Sequence, residues 1–375
     1  MKQFSMVAAL LLIGALTWWL LRDTSFDWQL PADIPAPIVP ADNPMSEPKV
    51  ELGRWLFYDT RLSGNQGMAC ASCHIQELAF TDGRARSVGS TGEIHPRSAM
   101  SLVNVAYASR LAWANPMLAK LEDQAVIPLL GDDPVEMGLA GHEDRVVSML
   151  RNEPRYSELL NKAFPNDTDP HSLLNAIRAI SAFVRTINSY NSPYDRYLAG
   201  EPAAMSASAA RGMELFFSER LECFHCHGGF NFTDSTTHAN SNVDRVGFHN
   251  TGLYNIDGNG AYPQDNTGLL DMTGQTRDMG RFKAPSLRNV AVTAPYMHDG
   301  SVATLDEAIA NYARGGRLIE AGPYAGDGRV SPFKSEFVSG FELSAGEQAD
   351  LVAFLHALTD ESVLSNPRFS DPFAD

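Results

Sequence analysis

One five-residue pattern occurs twice in this chain of 375 residues, as CASCH at residues 70–74 and as CFHCH at residues 223–227. The two motifs contain all four cysteines of the chain. A Cys-x-x-Cys pair is typical of a redox disulfide, of half a zinc site or of covalent haem attachment, and only haem attachment also requires the histidine that follows. A structural zinc site built from the four cysteines is the main alternative, but it leaves both histidines unexplained. The pattern therefore predicts two covalently bound c-type haems.

Each motif assigns three residues to its haem. In the first motif, Cys70 and Cys73 would form the thioether bonds, and His74 would be the proximal iron ligand. The corresponding residues of the second motif are Cys223, Cys226 and His227.

Residues 1–24 are predicted to be an export signal or a membrane anchor, because an apolar run extends from Met6 to Leu21. The run is shorter than the roughly 20 residues that span a bilayer comfortably, which leaves a cleaved signal open. Trp18 and Trp19 would suit the membrane interface, which favours a retained anchor. Both readings predict a periplasmic protein, and the second tethers it to the inner membrane.

The remaining chain suggests a linker and two domains. Residues 25–46 are proline-rich and are predicted to be an extended linker. The following residues, about 330 of them, suit an N-terminal domain at 47–204 and a C-terminal domain at 205–375 better than one domain. The net charge of -16 argues against nucleic acid as a partner, although it would permit docking of a basic protein.

Two segments that precede the haem motifs resemble each other. When Gly53 in ELGRWLFYDTRLSG is set against Gly212 in AARGMELFFSERLE, a leucine and a phenylalanine also coincide. Each segment is predicted to be a short helix that leads into a haem site. Such a repeat is what a duplicated cytochrome domain would leave in the sequence.

Helical patterns dominate the rest of the chain. Apolar residues recur every three or four positions across residues 173–187. Capping boxes are predicted at Ser344 with Glu347 and at Thr304 with Glu307. The predicted fold class is mainly α, with two cytochrome c-like domains, one covalently bound haem in each, and long loops.

The segment from residue 228 to 282 has little apolar periodicity and is rich in glycine, asparagine, aspartate and threonine. It is too long for a simple connection inside a compact domain. We therefore expect it to cover the second haem or the interface between the domains.

The segment RFKAPSLRNVAVTAPYMHDGS, followed by TLDEAIANY, resembles the bacterial dihaem cytochrome c peroxidase family, including its MauG branch. The resemblance extends from about residue 47 to residue 360. The segments PADNPMSEPKVELGRWLFYDTRLSGN, AFTDGRARSVGSTGEIHPRSAMSLVNVAYA and LAWANPMLAKLEDQA are similar to the MbnH branch, the MauG-like enzymes of methanobactin gene clusters. That branch implies a hydrogen peroxide-dependent enzyme that converts a tryptophan of a copper-binding partner, MbnP, to kynurenine.

The resemblance implies that the second axial ligand of the C-terminal haem lies on the helix after HDG. Ordinary peroxidases of the family have methionine fourteen residues after that histidine, where this chain has Tyr312, as the MauG branch does. Met297 is the best rival ligand. A neutral thioether favours ferrous iron, whereas an anionic phenolate favours ferric and higher states. We therefore expect His227 and Tyr312 to ligate the second haem.

For the first haem, the resemblance implies a vacant face and three functional residues. Ser90 falls where ordinary peroxidases have a distal histidine, and His95 is a nearby substitute. Glu136 corresponds to the carboxyl group that assists peroxide cleavage, and Gln124 to its polar neighbour. Trp113 corresponds to the tryptophan that stands between the two haems and relays electrons.

The resemblance also implies a calcium ion between the domains. Its backbone carbonyl ligands would come from Thr293 and Pro295, and its side-chain ligand from Ser98, with Asn104 as a stand-in.

The predicted function is a MauG-like oxidation in which hydrogen peroxide reacts at the His74 haem and forms a high-valent, bis-Fe(IV)-type state. That state would oxidise a tryptophan of an MbnP-like copper-binding protein by long-range electron transfer. The alternative is a dihaem cytochrome c peroxidase that reduces hydrogen peroxide to water with electrons from a small cytochrome c or a cupredoxin. A non-enzymatic carrier or sensor would require two six-coordinate irons, which the missing distal ligand of the first haem disfavours.

Overall fold

The computed structural model describes residues 26–374, so the predicted signal or anchor lies outside the described residues. Within the described part, no helix is both long and apolar enough to cross a membrane. Residues 26–46 contain no helix or strand, and their role as a linker stays a prediction. They are nevertheless attached to the folded body, because Pro35 accepts a hydrogen bond from the Tyr107 hydroxyl and Ala36 accepts one from the Ala239 amide.

The fold is mainly helical, as predicted. The helices of the described residues are α1 Glu47–Tyr58, α2 Leu121–Leu130, α3 Glu143–Asn152, α4 Pro154–Ala163, α5 Leu173–Arg185, α6 Pro193–Leu198, α7 Ala207–Phe216, α8 Cys223–Cys226, α9 Leu270–Thr273, α10 Leu305–Ala313, α11 Ala345–His356 and α12 Glu361–Leu364. The strands found among residues 26–374 form two short antiparallel pairs, β1 Phe248–His249 with β2 Phe282–Lys283, and β3 Leu318–Ile319 with β4 Gly326–Asp327.

The repeat predicted from Gly53 and Gly212 corresponds to one helix pair that occurs twice. In the first half α1 packs on α5, and in the second half α7 packs on α11. A Cβ atom on Gly53 would overlap the carbonyl oxygen of Ala179 and stand 2.8 Å from Cβ of Phe183. One on Gly212 would overlap the carbonyl oxygen of Asp350 and stand 2.9 Å from Cβ of the next phenylalanine along α11. Each pair therefore needs a glycine where its two helices approach most closely.

We expect Gly212→Ala to lower the free energy of unfolding by at least about 2 kcal/mol, because the added methyl group meets backbone that cannot move independently of α11. Denaturant unfolding followed by circular dichroism measures the change. The matched control is Gly346→Ala on α11, where the nearest heavy atom lies 4.0 Å from the new Cβ. That substitution should be neutral or stabilise by up to about 1 kcal/mol, since alanine is the better helix former. Equal stability of the two variants would contradict the close approach.

A second repeat, which the sequence analysis did not detect, surrounds the residues after each motif. Phe80 and Phe232 both adopt left-handed backbone conformations, with φ of 61° and 50°. The residue before each phenylalanine accepts a hydrogen bond from a serine hydroxyl, Ser101 at 2.6 Å and Ser286 at 2.7 Å. Each serine begins a similar hexapeptide, SLVNVA in the first half and SLRNVA in the second. The two halves therefore hold their motifs with the same loop.

Three apolar clusters form the interior of the part of the chain that the structure describes. The first is built mainly from α1 and α5, and the second from α7 and α11. The third contains Tyr254, Tyr262 and Phe282, so the segment 228–282 supplies much of a small core of its own. Val363 and Phe369 near the chain end belong to the first cluster. The domain boundary at 204/205 stays a prediction, and the last residues of the chain return across it.

The helix caps agree with the predictions in one case and differ in the other. Ser344 and Glu347 form the predicted reciprocal capping box at the start of α11. At the start of α10 the Thr304 hydroxyl accepts the Glu307 amide, but the Glu307 carboxylate accepts the Ala303 amide at 2.9 Å. The prediction of a second capping box is therefore wrong, because the Glu307 side chain reaches one residue beyond the N-cap residue.

Candidate active site

The histidines of the two motifs are both prepared to bind a metal through one ring nitrogen. Nδ1 of His74 lies 2.8 Å from the carbonyl oxygen of Phe80, and Nδ1 of His227 lies 3.3 Å from that of Phe232. Because a carbonyl oxygen only accepts, each Nδ1 carries the proton and leaves Nε2 free as a ligand. Burial lowers the pKa of both imidazoles, so they stay neutral. The two left-handed phenylalanines thus orient the two predicted proximal ligands.

The four cysteines fit covalent attachment better than metal or disulfide chemistry. None of them forms a disulfide. Burial raises the pKa of Cys70 and of Cys223 to about 12, whereas zinc binds thiolates. Within residues 26–374, the one group of three or more potential ligand side chains close enough to share an ion contains no cysteine. The two pairs therefore do not meet in a four-cysteine zinc site.

A cavity of about 250 Å³ adjoins the second motif. The predicted site residues that line it are Ser98, Trp113, Cys223, Cys226, His227, Thr293, Pro295 and Tyr312. Met297, the rival ligand, also lines it. Burial raises the pKa of the Tyr312 phenol above its ordinary value, so this group keeps its proton unless a cation displaces it. The fold thus brings Tyr312 of α10 and the second motif to one cavity, although 85 positions separate Tyr312 from His227.

Two buried basic groups adjoin the same cavity. Lys283 is 5% exposed and lines it, and burial lowers the pKa of its ammonium group to about 8. His249 also lines it, with Nε2 2.6 Å from Oδ2 of Asp234. Burial alone would lower the pKa of His249, but the hydrogen bond to Asp234 contributes to raising that pKa to about 10. A haem carries two carboxylates, and buried cations beside an apolar cavity suit such a group. Neither residue was identified from the sequence.

Three residues predicted near the first haem lie together. The Ser90 amide donates a hydrogen bond to the Glu136 carbonyl at 2.6 Å. Nε2 of His95 lies 3.9 Å from Oε1 of Glu136. Burial raises the pKa of Glu136 and lowers that of His95. A carboxyl group whose pKa is raised binds a proton more readily, and beside a neutral imidazole it can accept and return a proton. From the sequence, His95 was considered only as a substitute for the distal histidine, and its proximity to Glu136 was not predicted.

Gln124 lies on α2, and its Oε1 is buried without a hydrogen-bond partner among residues 26–374. An unpaired buried acceptor costs free energy, so it usually awaits a water molecule or a ligand. The residue thus has the free polar group that the predicted role requires.

Trp113 is held at the cavity by two hydrogen bonds. Its indole nitrogen donates to the carbonyl of Ser98 at 2.9 Å, and its own carbonyl accepts from the amide of Lys283 at 2.7 Å. It lines the cavity and packs against the third apolar cluster. Hydrogen bonds at both ends of the residue fix the ring in place.

The predicted calcium ligands are partly brought together. Ser98, Thr293 and Pro295 line the same cavity. Asn104, the stand-in, is not among the residues that line this cavity, and its amide accepts from the Ser189 amide at 2.8 Å and donates to the Ser189 carbonyl at 3.2 Å. Both of its side-chain polar atoms are already used.

Comparison with known proteins finds relatives that are dihaem peroxidases or MauG proteins. A family model for di-haem cytochrome c peroxidase matches residues 47–203. Cytochrome-c peroxidase IdrP1 of Denitromonas iodatirespirans is 35% identical, covering 87% of this chain and 85% of that protein. Methylamine utilization protein MauG of Methylophilus methylotrophus is 31% identical, covering 95% of each chain.

One solved structure is much more similar. It is a MauG-like protein associated with microbial copper homeostasis, with 53% sequence identity and a TM-score of 0.91. The match covers 93% of this chain and 99% of that one. The described fold is therefore shared over nearly its whole length.

Proposed function

Because this chain belongs to the di-haem cytochrome c peroxidase and MauG family, we propose that it is a MauG-like oxidase whose substrate is a tryptophan of a partner protein. The family makes the chain a dihaem oxidoreductase, and the identity of its substrate is our proposal. The partner would be an MbnP-like copper-binding protein, whose tryptophan becomes kynurenine in a four-electron oxidation that consumes two hydrogen peroxide molecules and, after hydrolysis, releases the lost ring carbon as formate. The relation to a MauG-like protein associated with copper homeostasis supports this choice.

The two haems would be attached at the two motifs, one in each of the proposed cytochrome c-like domains at 47–204 and 205–375. When bound, they supply the reduction of hydrogen peroxide and hold the two oxidising equivalents that result. His74 and His227 would present Nε2 to the irons, while their Nδ1 protons stay on backbone carbonyls. Lys283 and His249 would offset the carboxylate charge of the second haem.

The single observation that carries this proposal is the presence of Tyr312 in the same cavity as His227. An ordinary peroxidase of the family needs a haem that accepts electrons from a donor, and a thioether ligand raises the potential accordingly. A phenolate oxygen does the opposite and stabilises oxidised iron. The second haem of this chain is thus suited to share oxidising equivalents and poorly suited to receive electrons from a carrier.

The residues near the first motif would manage the proton of the peroxide. Glu136 would accept it and return it to the departing oxygen, with His95 adjusting the charge beside it. The unpaired Gln124 oxygen would hold the bound peroxide or a water molecule. Trp113 would then pass electrons between the two regions, and Ser98 with the carbonyls of Thr293 and Pro295 would hold a calcium ion.

The second candidate function is peroxide reduction with electrons from a small cytochrome c or a cupredoxin. It is favoured by Met297, whose thioether lies in the same cavity. It is also favoured by the 35% identity to a protein named cytochrome-c peroxidase. Ligation by Met297 would give the second haem a high potential.

The test is to add hydrogen peroxide to the diferric holoprotein without a reductant and to follow its absorbance. We expect an oxidised state that persists for seconds or longer and decays faster when the tryptophan-containing partner is added. Mass spectrometry of the partner should then find a tryptophan that has lost one ring carbon and gained one oxygen, as conversion to kynurenine requires. A spectrum that stays unchanged until the protein is half-reduced would favour the peroxidase function.

We also propose that the enzyme acts in the periplasm, where c-type haems are attached in bacteria. Residues 1–24 would direct its export, either as a cleaved signal or as a tether to the inner membrane. Separating the soluble and membrane fractions of the expressing cell distinguishes the two possibilities: a cleaved signal leaves the enzyme in the soluble fraction, and a tether leaves it in the membrane fraction.

A further inference from the structure

Aromatic rings form a continuous series from the cavity to the protein surface. Phe282 and His298 line the cavity and stack on each other with 3.6 Å between ring centroids. The Tyr262 centroid lies 6.3 Å from that of Phe282. Tyr254 follows at 5.4 Å from Tyr262, and Tyr324 at 5.8 Å from Tyr254. We call Tyr262, Tyr254 and Tyr324 the tyrosine chain.

The tyrosine chain begins in the interior and ends in solvent. Tyr262 and Tyr254 are each 5% exposed, whereas Tyr324 is 44% exposed, in the loop that joins β3 to β4. Trp113 packs against the cluster that contains the two buried tyrosines. The tyrosine chain therefore starts in the cluster on which Trp113, the proposed carrier of electrons between the two haems, packs.

The middle tyrosine has a proton acceptor. The Tyr254 hydroxyl donates to Oδ2 of Asp299 at 2.6 Å. Asp299 also accepts the Ser301 amide at 3.1 Å, which fixes the carboxylate in position. The Tyr262 hydroxyl instead donates to the side-chain oxygen of Asn250 at 2.9 Å, and a neutral amide is a far weaker base. Oxidation of Tyr254 can thus release its proton locally, while Tyr262 serves as a bridge for the electron.

We propose that the tyrosine chain carries oxidising equivalents from the region of Trp113 to the surface at Tyr324. The inference rests on the proposed function, because peroxide-oxidised haems are the oxidant. One electron passes from Tyr254 through Tyr262 and Trp113 to the haems, and the phenolic proton of Tyr254 moves to Asp299. The radical then takes an electron from Tyr324 and recovers its proton, while Tyr324 releases a proton to water.

A donor at the surface completes the cycle by reducing the Tyr324 radical. Two such rounds return both oxidising equivalents from one hydrogen peroxide molecule. The donor is an oxidisable group that approaches the β3–β4 loop, either an aromatic side chain of a docked protein or a reductant in solution.

The experiment treats the holoprotein with hydrogen peroxide and a nitroso spin trap, without the partner. Peptide mass spectrometry then locates the adducts, and absorbance follows decay of the oxidised state. In the unmodified sequence the adduct should lie on Tyr324. Tyr254→Phe should reduce that adduct about tenfold and slow the decay by a similar factor, which corresponds to a barrier about 1.4 kcal/mol higher. Asp299→Asn, which retains the Tyr254 ring, should have the same direction of effect.

Tyr156→Phe is the matched control, because the Tyr156 hydroxyl also donates to a buried carboxylate, that of Asp59, but lies in the first core. It should leave the Tyr324 adduct unchanged. Tyr324→Phe removes only the hydroxyl of an exposed side chain. Slower decay of the oxidised state in that variant therefore tests the tyrosine chain even if Tyr254→Phe folds poorly.

Two outcomes separate the two proposals. If peroxide produces no persistent oxidised state, the proposed function fails and the tyrosine chain loses its oxidant. If the state forms but Tyr324 gains no adduct and Tyr324→Phe decays at the original rate, the tyrosine chain is overturned while the proposed function stands.

Discussion

Tyr312→Met is expected to convert this enzyme from an oxidase of a partner protein into a peroxide reductase. The thioether would favour ferrous iron, so the potential of the second haem should rise on the order of a few tenths of a volt, within the range of about 0.8 V that axial ligands cover. Spectroelectrochemical titration measures this rise. Oxidation of the partner tryptophan should fall below detection, and peroxide consumption should become dependent on an added reductant.

Tyr312→Phe and its control Tyr296→Phe distinguish the effect of the phenolate oxygen from that of the aromatic ring. Tyr312→Phe keeps the aromatic volume but removes the phenolate, so the persistent oxidised state should be lost in this variant. Tyr296 lines the same cavity, and its hydroxyl donates to the Val290 carbonyl at 3.2 Å. Its replacement by phenylalanine should leave the potential unchanged. If the potential of the second haem shifts strongly in Met297→Leu and does not shift in Tyr312→Phe, the ligand is Met297 instead.

Local chemistry explains which features could be predicted from the sequence. The two histidines follow their cysteine pairs directly, so no knowledge of the fold was needed to assign them. Gly53 and Gly212 were recognised because neighbouring apolar residues coincide, and the structure gives the reason that both are glycines. The hydrogen bond between each motif histidine and a phenylalanine carbonyl closes a loop of five or six residues. Such short-range features depend on residues that are close in sequence.

Features formed by distant segments could not be predicted in this way. The ring of Tyr324 meets that of Tyr254 across 70 positions of sequence, and no periodic pattern connects them. Lys283 was part of a segment quoted for its resemblance, yet only the packing shows that this residue is buried and lines a cavity. Asn104 was a reasonable calcium ligand by residue type, but its amide is used by Ser189. Burial and pairing of these groups are decided by tertiary contacts.

Glu136→Gln is expected to slow formation of the oxidised state by about 10² to 10⁴ fold, the usual contribution of a positioned acid-base group. Gln keeps the size and polarity of the side chain but cannot take the proton of hydrogen peroxide. Stopped-flow mixing of the diferric holoprotein with peroxide measures the rate. Glu93→Gln is the matched control, since the Glu93 carboxylate accepts the Val135 amide at 2.9 Å in the adjoining loop. It should retain most of the rate.

The pH dependence of the same rate distinguishes a proton-transfer role from a purely structural one. Burial raises the pKa of Glu136 above its ordinary value, and the reaction needs the ionised carboxylate. The rate should therefore be highest above the raised pKa and fall as pH decreases through it. In Glu136→Gln this acidic limb should be absent. His95→Gln removes the neighbouring imidazole and should shift the limb without abolishing it, because the carboxylate remains. If the acidic limb persists in Glu136→Gln and the rate at neutral pH is unchanged, another group moves the proton.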